Sequence, residues 1–263
     1  MIICADDFGL AQANDAAIIA LARAGRVSAV SVMTAVGRHV QMAADLAELH
    51  HDVDIGLHLV FTDEGKPLAG IAGSLTARDG EFYAFRELVR RAYTGRIRAA
   101  DVRMEIQAQI AAFHACFGRP PDHLDGHLHV QQLPVICEEV AVAAAGLCRT
   151  APCYVRHTWL PLTKLLREGG FKRAAIAIPA GRLRRSLLHA AVPTNSGFYG
   201  VYDYRRWQNF PVWFEGFRVA ARRVNDIIMV HPGFVEPWRR LEYDTLNSAS
   251  ELRPNRFRHA AQA

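Results

Sequence analysis

Four separated segments each set an acid or a histidine at or near the end of an apolar run: Ala5-Asp6-Asp7-Phe8-Gly9, Gly56-Leu57-His58-Leu59, Asp125-Gly126-His127-Leu128-His129 and Val230-His231-Pro232-Gly233. A strand that ends in Asp or His just before a glycine is how α/β barrels deliver reactive groups to one rim. Strand-like and helix-like stretches alternate along the chain, which argues for a parallel sheet. An open doubly wound sheet gathers its site near one switch point. Segments spread from residue 6 to residue 231 fit closure better. The expectation is an α/β chain, a single TIM-like (β/α) barrel over residues 1–263, with fewer than eight strands allowed.

Short apolar or β-branched runs predict strands at 1–5, 28–33, 53–61, 123–130, 154–158 and 227–230. Helical spacing predicts helices at 16–24, stopped by Gly25, and at 40–49. Asp101 reads as the N-cap of a helix that Gly118 ends, and Pro134 as the first helical residue of another that runs to Gly146. The stretch 62–98, with Gly65, Pro67, Gly70, Gly73 and Gly80, reads as an irregular rim insertion, where long loops often carry substrate contacts. Residues 164–189 are basic and amphipathic, broken around Pro179-Ala180-Gly181.

Net charge is +5, and Arg182-Leu183-Arg184-Arg185 is the densest basic run. No recognised nucleic-acid motif accompanies it, so nucleic acid is not expected as a partner. The run reads as a solvated helix face or as a contact for an anionic ligand or a membrane surface. Five cysteines without CxxC spacing fit thiols in a reducing cytoplasm better than a disulfide framework. No basic n-region precedes the first apolar run and no apolar stretch is long enough to span a bilayer, so a cytoplasmic location is expected.

The site chemistry reads segment by segment. Two aspartates and several histidines at strand ends suggest one divalent-metal site that activates water. Of Asp6 and Asp7, one could ligate a metal while its neighbour takes a proton from water; the alternative is a turn plus a helix cap. His58 faces opposite to Leu57 and Leu59 in its strand, as a ligand or as a hydrogen-bonded core histidine. In a strand, Asp125, His127 and His129 share one face, a good geometry for one ligand and one partner that fixes its tautomer. Pro232-Gly233 forces a turn that leaves His231 at a strand tip. No Gly-x-Ser-x-Gly elbow, Walker loop or dinucleotide fingerprint is present.

These four segments, with His123-Leu124 extending the third, resemble the YdjC-like carbohydrate deacetylases, a family that includes chitooligosaccharide deacetylase and a branch associated with hopanoid biosynthesis. The resemblance implies a (β/α)7-type barrel and one divalent metal, magnesium or zinc, held by Asp7, His58 and His127. It implies Asp6 as general base and His231 as a candidate acid; Asp125 and His129, from their place in the same run, are expected as supporting or substrate-contacting residues. Cys4 stands where the family often has a polar residue, and Gln131 where it often has a third histidine. The implied reaction is hydrolysis of an N-acetyl group from an amino sugar, oligosaccharide or glycolipid. Alternatives are a metal-dependent phosphoesterase, which usually needs two metals and more bridging carboxylates, and a sugar-binding barrel without chemistry. The 62–98 insertion and the aromatic stretch Phe198, Tyr199, Tyr202, Tyr204 and Trp207 are expected to shape substrate choice. Packing in a homodimer is the alternative for those aromatics.

Overall fold

In the computed structural model, which describes residues 1–36, 40–70, 73–160, 174 and 176–259, seven strands carry the fold. They are β1 (Ile2–Phe8), β2 (Ala29–Val32), β3 (Asp54–Leu59), β4 (His123–Gly126), β5 (Tyr154–Val155), β6 (Gly197–Tyr199) and β7 (Asp226–Val230). Their order in the sheet is β5-β4-β3-β2-β1-β7-β6. The ladders of β1 with β2 and β7, of β7 with β6, and of β4 with β3 and β5 are all parallel. Strands β1, β3 and β7 are buried along their whole length, which is why they read as near-continuous apolar runs. The α/β class expected from the alternation is the one observed. No helix among the described residues is long and apolar enough to cross a membrane.

Contacts divide the chain into two compact units. The first comprises Met1–Val32, Arg38–Gly56 and Asn195–Ala263, the second Met33–Gly37 and Leu57–Thr194. In the first lie helices α1 (Gln12–Arg23) and α2 (Val40–Ala47). In the second, α3 (Phe85–Tyr93), α4 (Ala99–Phe117), α5 (Ile136–Leu147) and α6 (Ala180–His189) surround the β3–β4–β5 ladder in sequence. Returning to the first unit, the chain forms α7 (Phe210–Ala220) and α8 (Pro237–Ser248).

Several expectations need correction. The strand predicted at 123–130 stops at Gly126, and His127–Gln132 form a 3-10 turn in which Leu128 (φ 52) and His129 (φ 60) are left-handed. Asp125, His127 and His129 therefore do not share a strand face. The 62–98 stretch is not wholly irregular: α3 lies inside it and buries only Leu88 and Ala92. Asp101 is not an N-cap but sits in the first turn of α4, where its carboxylate accepts the Ser74 N–H (2.7 Å) and pairs with Arg98. Gly118 ends α4 in the left-handed conformation (φ 64), as expected. Pro134 precedes α5 by two residues, and β5 is only two residues long. The 164–173 part of the basic stretch lies outside the described residues; 180–189 is helical.

Candidate active site

In β1 the register against β2 runs Ala5↔Val30 and then Phe8↔Val32, three steps against two. One surplus residue is accommodated as a bulge. Asp7 takes it up with φ 68, a conformation Asp tolerates better than most residues. Both Asp6 and Asp7 are buried. The Asp7 carboxylate accepts from Arg239 Nη2 at 2.8 Å through Oδ2, and the Cys4 thiol lies 3.5 Å from Asp6 Oδ1. In the turn that follows, Asp15 in the first turn of α1 accepts the Gly9 N–H at 2.6 Å. Burial raises the Asp15 carboxyl to about 6, against the lowering effect of that bond.

His231 directly follows β7. Its backbone N–H donates to Glu242, Tyr204 Oη lies 3.3 Å from its Nδ1, and the Trp238 ring meets it edge-on at 6.1 Å. Glu242 has no exposed surface and also accepts from the Tyr202 hydroxyl. Burial pushes its carboxyl up to about 7, although the Tyr202 and His231 hydrogen bonds and the Arg239 charge pull the other way. Arg239, Glu242 and Leu246 form the buried stripe of α8. Gly233 is what lets α8 approach: a Cβ there would lie 2.5 Å from Asn14 Oδ1 and 3.1 Å from Arg239 Cβ. Neither Arg239 nor Glu242 was singled out from sequence. The available signal was an Arg-x-x-Glu pair on one face of a helix just after His-Pro-Gly.

In the second unit, His58 pairs in register with Asp125 across β3 and β4, and its Nδ1 lies 2.6 Å from Asp125 Oδ1. Arg156 Nη2 lies 3.1 Å from the other Asp125 oxygen, and His123 Nε2 lies 3.7 Å from it. Neither Asp125 nor Arg156 has exposed surface. Burial alone would raise the Asp125 carboxyl, but the charges of Arg156 and His58 and the His58 hydrogen bond hold it well below the usual carboxylate range. When His58 is neutral, an ionised Asp125 favours its proton on Nδ1, the orientation in which Nε2 would be offered to a cation. The His127 ring packs edge-on to His58 at 5.7 Å, and its Nε2 lies 3.7 Å from Glu64 Oε1. That contact, more than any other, draws the Glu64 carboxyl down to about 2. Glu64 and Arg156 also escaped the sequence reading.

Cation-ligating side chains are buried or nearly so in each unit: the Asp6 and Asp7 carboxylates in the first, the His58 and His127 imidazoles in the second. Both oxygens of Asp125 are engaged, by His58 and by Arg156, which suits an orienting role better than ligation. One carboxylate with two imidazoles, one of them held in a fixed tautomer, is a donor set that zinc accepts. A shell richer in oxygen and water would suit magnesium.

Residues 1–254 match the YdjC-like protein family. This chain belongs to the YdjC-like family. It is similar to a carbohydrate deacetylase of Homo sapiens, 35% identical over 170 residues that cover 62% of this chain and 49% of that protein. It is also similar to chitooligosaccharide deacetylases. That of Serratia marcescens is 40% identical over 136 residues, 52% of each chain, and that of Yersinia pestis (strain Pestoides F) 37% over 144 residues, 55% of each. These matches span about half the length of the curated relatives. A solved structure from Enterococcus faecalis V583, described as a candidate cellobiose-phosphate cleavage protein, superposes with TM-score 0.70 over 98% of this chain and 96% of that one. At 21% identity this likeness shows the fold alone.

Proposed function

We propose that this YdjC-like chain is a metal-dependent hydrolase that removes an N-acetyl group from an amino sugar or sugar conjugate, oligosaccharide or glycolipid, giving free amine and acetate. The observation that carries the reading is the His58–His127 pair, with rings 5.7 Å apart and His58 held by the buried Asp125, in a family whose named relatives are deacetylases. A divalent ion, when bound, supplies a Lewis acid for the amide carbonyl and lowers the pKa of water. Asp7, His58 and His127 would hold it. Asp125 orients His58, and Arg239 orients Asp7.

Asp6 takes the proton of the attacking water as the new C–O bond forms, a role that typically contributes about 10²–10⁴-fold. His231 gives a proton to the nitrogen as the C–N bond breaks. The boundary between the two units falls inside β3, and one strand order runs through all seven strands; both support reading 1–263 as one (β/α)7-type domain. The five cysteines, none in a disulfide, support a cytoplasmic location. The phosphoesterase alternative is weaker because Arg156 already neutralises Asp125, the acid hydrogen-bonded to His58.

The test is acetate release from N-acetylglucosamine, N-acetylated chito-oligosaccharides and an N-acetylated glycolipid, using chelated protein with and without restored zinc or magnesium. Asp7→Asn, His58→Ala and His127→Ala should each lose bound metal and turnover together. Equal acetate release by rigorously chelated protein would remove the metal from the reaction. Hydrolysis of a phosphodiester with no acetate from any of these compounds would replace the assignment.

A further inference from the structure

In the second unit a groove of about 460 Å³ is lined by Trp159, Tyr93, Ile178, Arg182, Arg184 and Arg185, among others. None of these belongs to the groups that could hold a cation. The volume lies within the ~300–1,000 Å³ range of small-molecule sites. Leu183 and Leu187 anchor α6 in the core, so Arg182 and Arg185 reach solvent, and Arg184 is half-buried.

Arg184 lies over an aromatic face: its guanidinium carbon sits 4.5 Å from the centre of the Trp159 ring. Stacking fixes the plane of a guanidinium and leaves its in-plane N–H donors to meet a planar or tetrahedral anion. Arg182 is paired with Glu138. Among the described residues no carboxylate forms an ion pair with Arg184 or Arg185, whereas Arg90, Arg98, Arg103, Arg218 and Arg240 all have one. The Arg184 charge is also felt by the buried His157, whose pKa falls to about 4 through burial and then through that charge. Two arginines without a described acid partner therefore line a concavity that Trp159 and Tyr93 also line.

We infer that this groove binds a phosphate-bearing ligand, with Arg184 and Arg185 on the phosphate and Trp159 and Tyr93 against the attached polyol or sugar. The inference does not rest on the deacetylase reading. A phosphate ester of this kind is offered by a soluble phosphorylated polyol or by a phospholipid headgroup.

The experiment uses the full chain at constant ionic strength, with calorimetry and tryptophan fluorescence as readouts. The probes are inorganic phosphate, glycerol phosphate, and vesicles of phosphatidylcholine with and without phosphatidylglycerol. Saturable binding of glycerol phosphate assigns the soluble source; binding only to vesicles that contain phosphatidylglycerol assigns the headgroup. In either case Arg184→Gln with Arg185→Gln should weaken binding about tenfold or more, because charge-assisted hydrogen bonds are lost. Arg184→Lys, which keeps the charge and loses the fork, should give a smaller loss. Trp159→Phe should abolish the fluorescence change. The unfolding midpoints of the variants show whether they remain folded. Absence of saturable binding to every probe overturns the inference, as does binding that folded arginine variants leave unchanged.

Discussion

Replacing Asp125 with Asn tests the reading of the second unit most sharply. The side chain keeps its shape but loses its charge, while the Arg156 guanidinium, with no exposed surface, stays where it is. Removing one member of a buried ion pair costs about 3–5 kcal/mol. The lower end is expected, since the Asn oxygen can still accept one hydrogen bond from His58 or Arg156. Urea unfolding of chelated wild type, Asp125→Asn, Arg156→Gln and the double variant measures this directly. The double variant should lose less than the sum of the singles, with a coupling of roughly 1–3 kcal/mol. The Asp125 carboxyl titrates lower in the folded chain than in the unfolded one. Its stabilisation is therefore complete above the unfolded value of about 3.9 and is lost as pH falls further. The gap between wild type and Asp125→Asn should hold from neutral pH down to about 4 and close only below that. Zinc affinity should also fall about 10–100-fold, because a neutral amide holds and polarises His58 less well than the carboxylate does. An unchanged unfolding midpoint, or strict additivity with Arg156→Gln, would refute the reasoning.

Three further outcomes are expected. His157, depressed to about 4 by burial and by Arg184, accepts the backbone N–H of Trp159 at Nδ1 and must stay neutral to do so. The chelated protein should accordingly lose stability as pH falls from about 6.5 toward 4, and His157→Gln should flatten that slope in denaturant titrations. Glu242, raised to about 7, has the opposite sign: its contribution is present below about 4.5 and is lost as pH rises through 7. Glu242→Gln should remove that dependence, and a slope that survives in the variant counts against the assignment. Gly200→Ala should destabilise by roughly 2–4 kcal/mol, since φ is +100° and a Cβ there would lie 2.2 Å from the Met229 carbonyl oxygen; an unchanged melting temperature would contradict this.

Strands β1, β2, β3 and β7 were legible because each is a short run of apolar or β-branched residues bounded by turn signals. The third histidine segment misled for a physical reason. His123-Leu124-Asp125-Gly126-His127-Leu128-His129-Val130 alternates as a strand should, yet the chain leaves the sheet at Gly126 through two left-handed residues that are not glycine. Helix α3 stayed hidden because only Leu88 and Ala92 mark its buried face amid charged neighbours. The candidate site residues Asp6, Asp7, His58 and His231 do lie in or directly after the strands expected to carry them. Their partners were not legible: Arg239 is 232 residues from Asp7, and Arg156 reaches Asp125 from the end of β5. Tertiary proximity of that kind leaves no local periodicity to detect.

Helix α8 has a mechanical consequence. Arg239 and Glu242 are one turn apart, about 4.5 Å along the axis, and they grip Asp7 and the backbone of His231 respectively. A rod that clamps both groups carries them together when it shifts, so their separation is better conserved than the place of either one. Loosening the C-terminal helix should therefore detune the proposed proton donor and the proposed ion ligand in concert rather than singly.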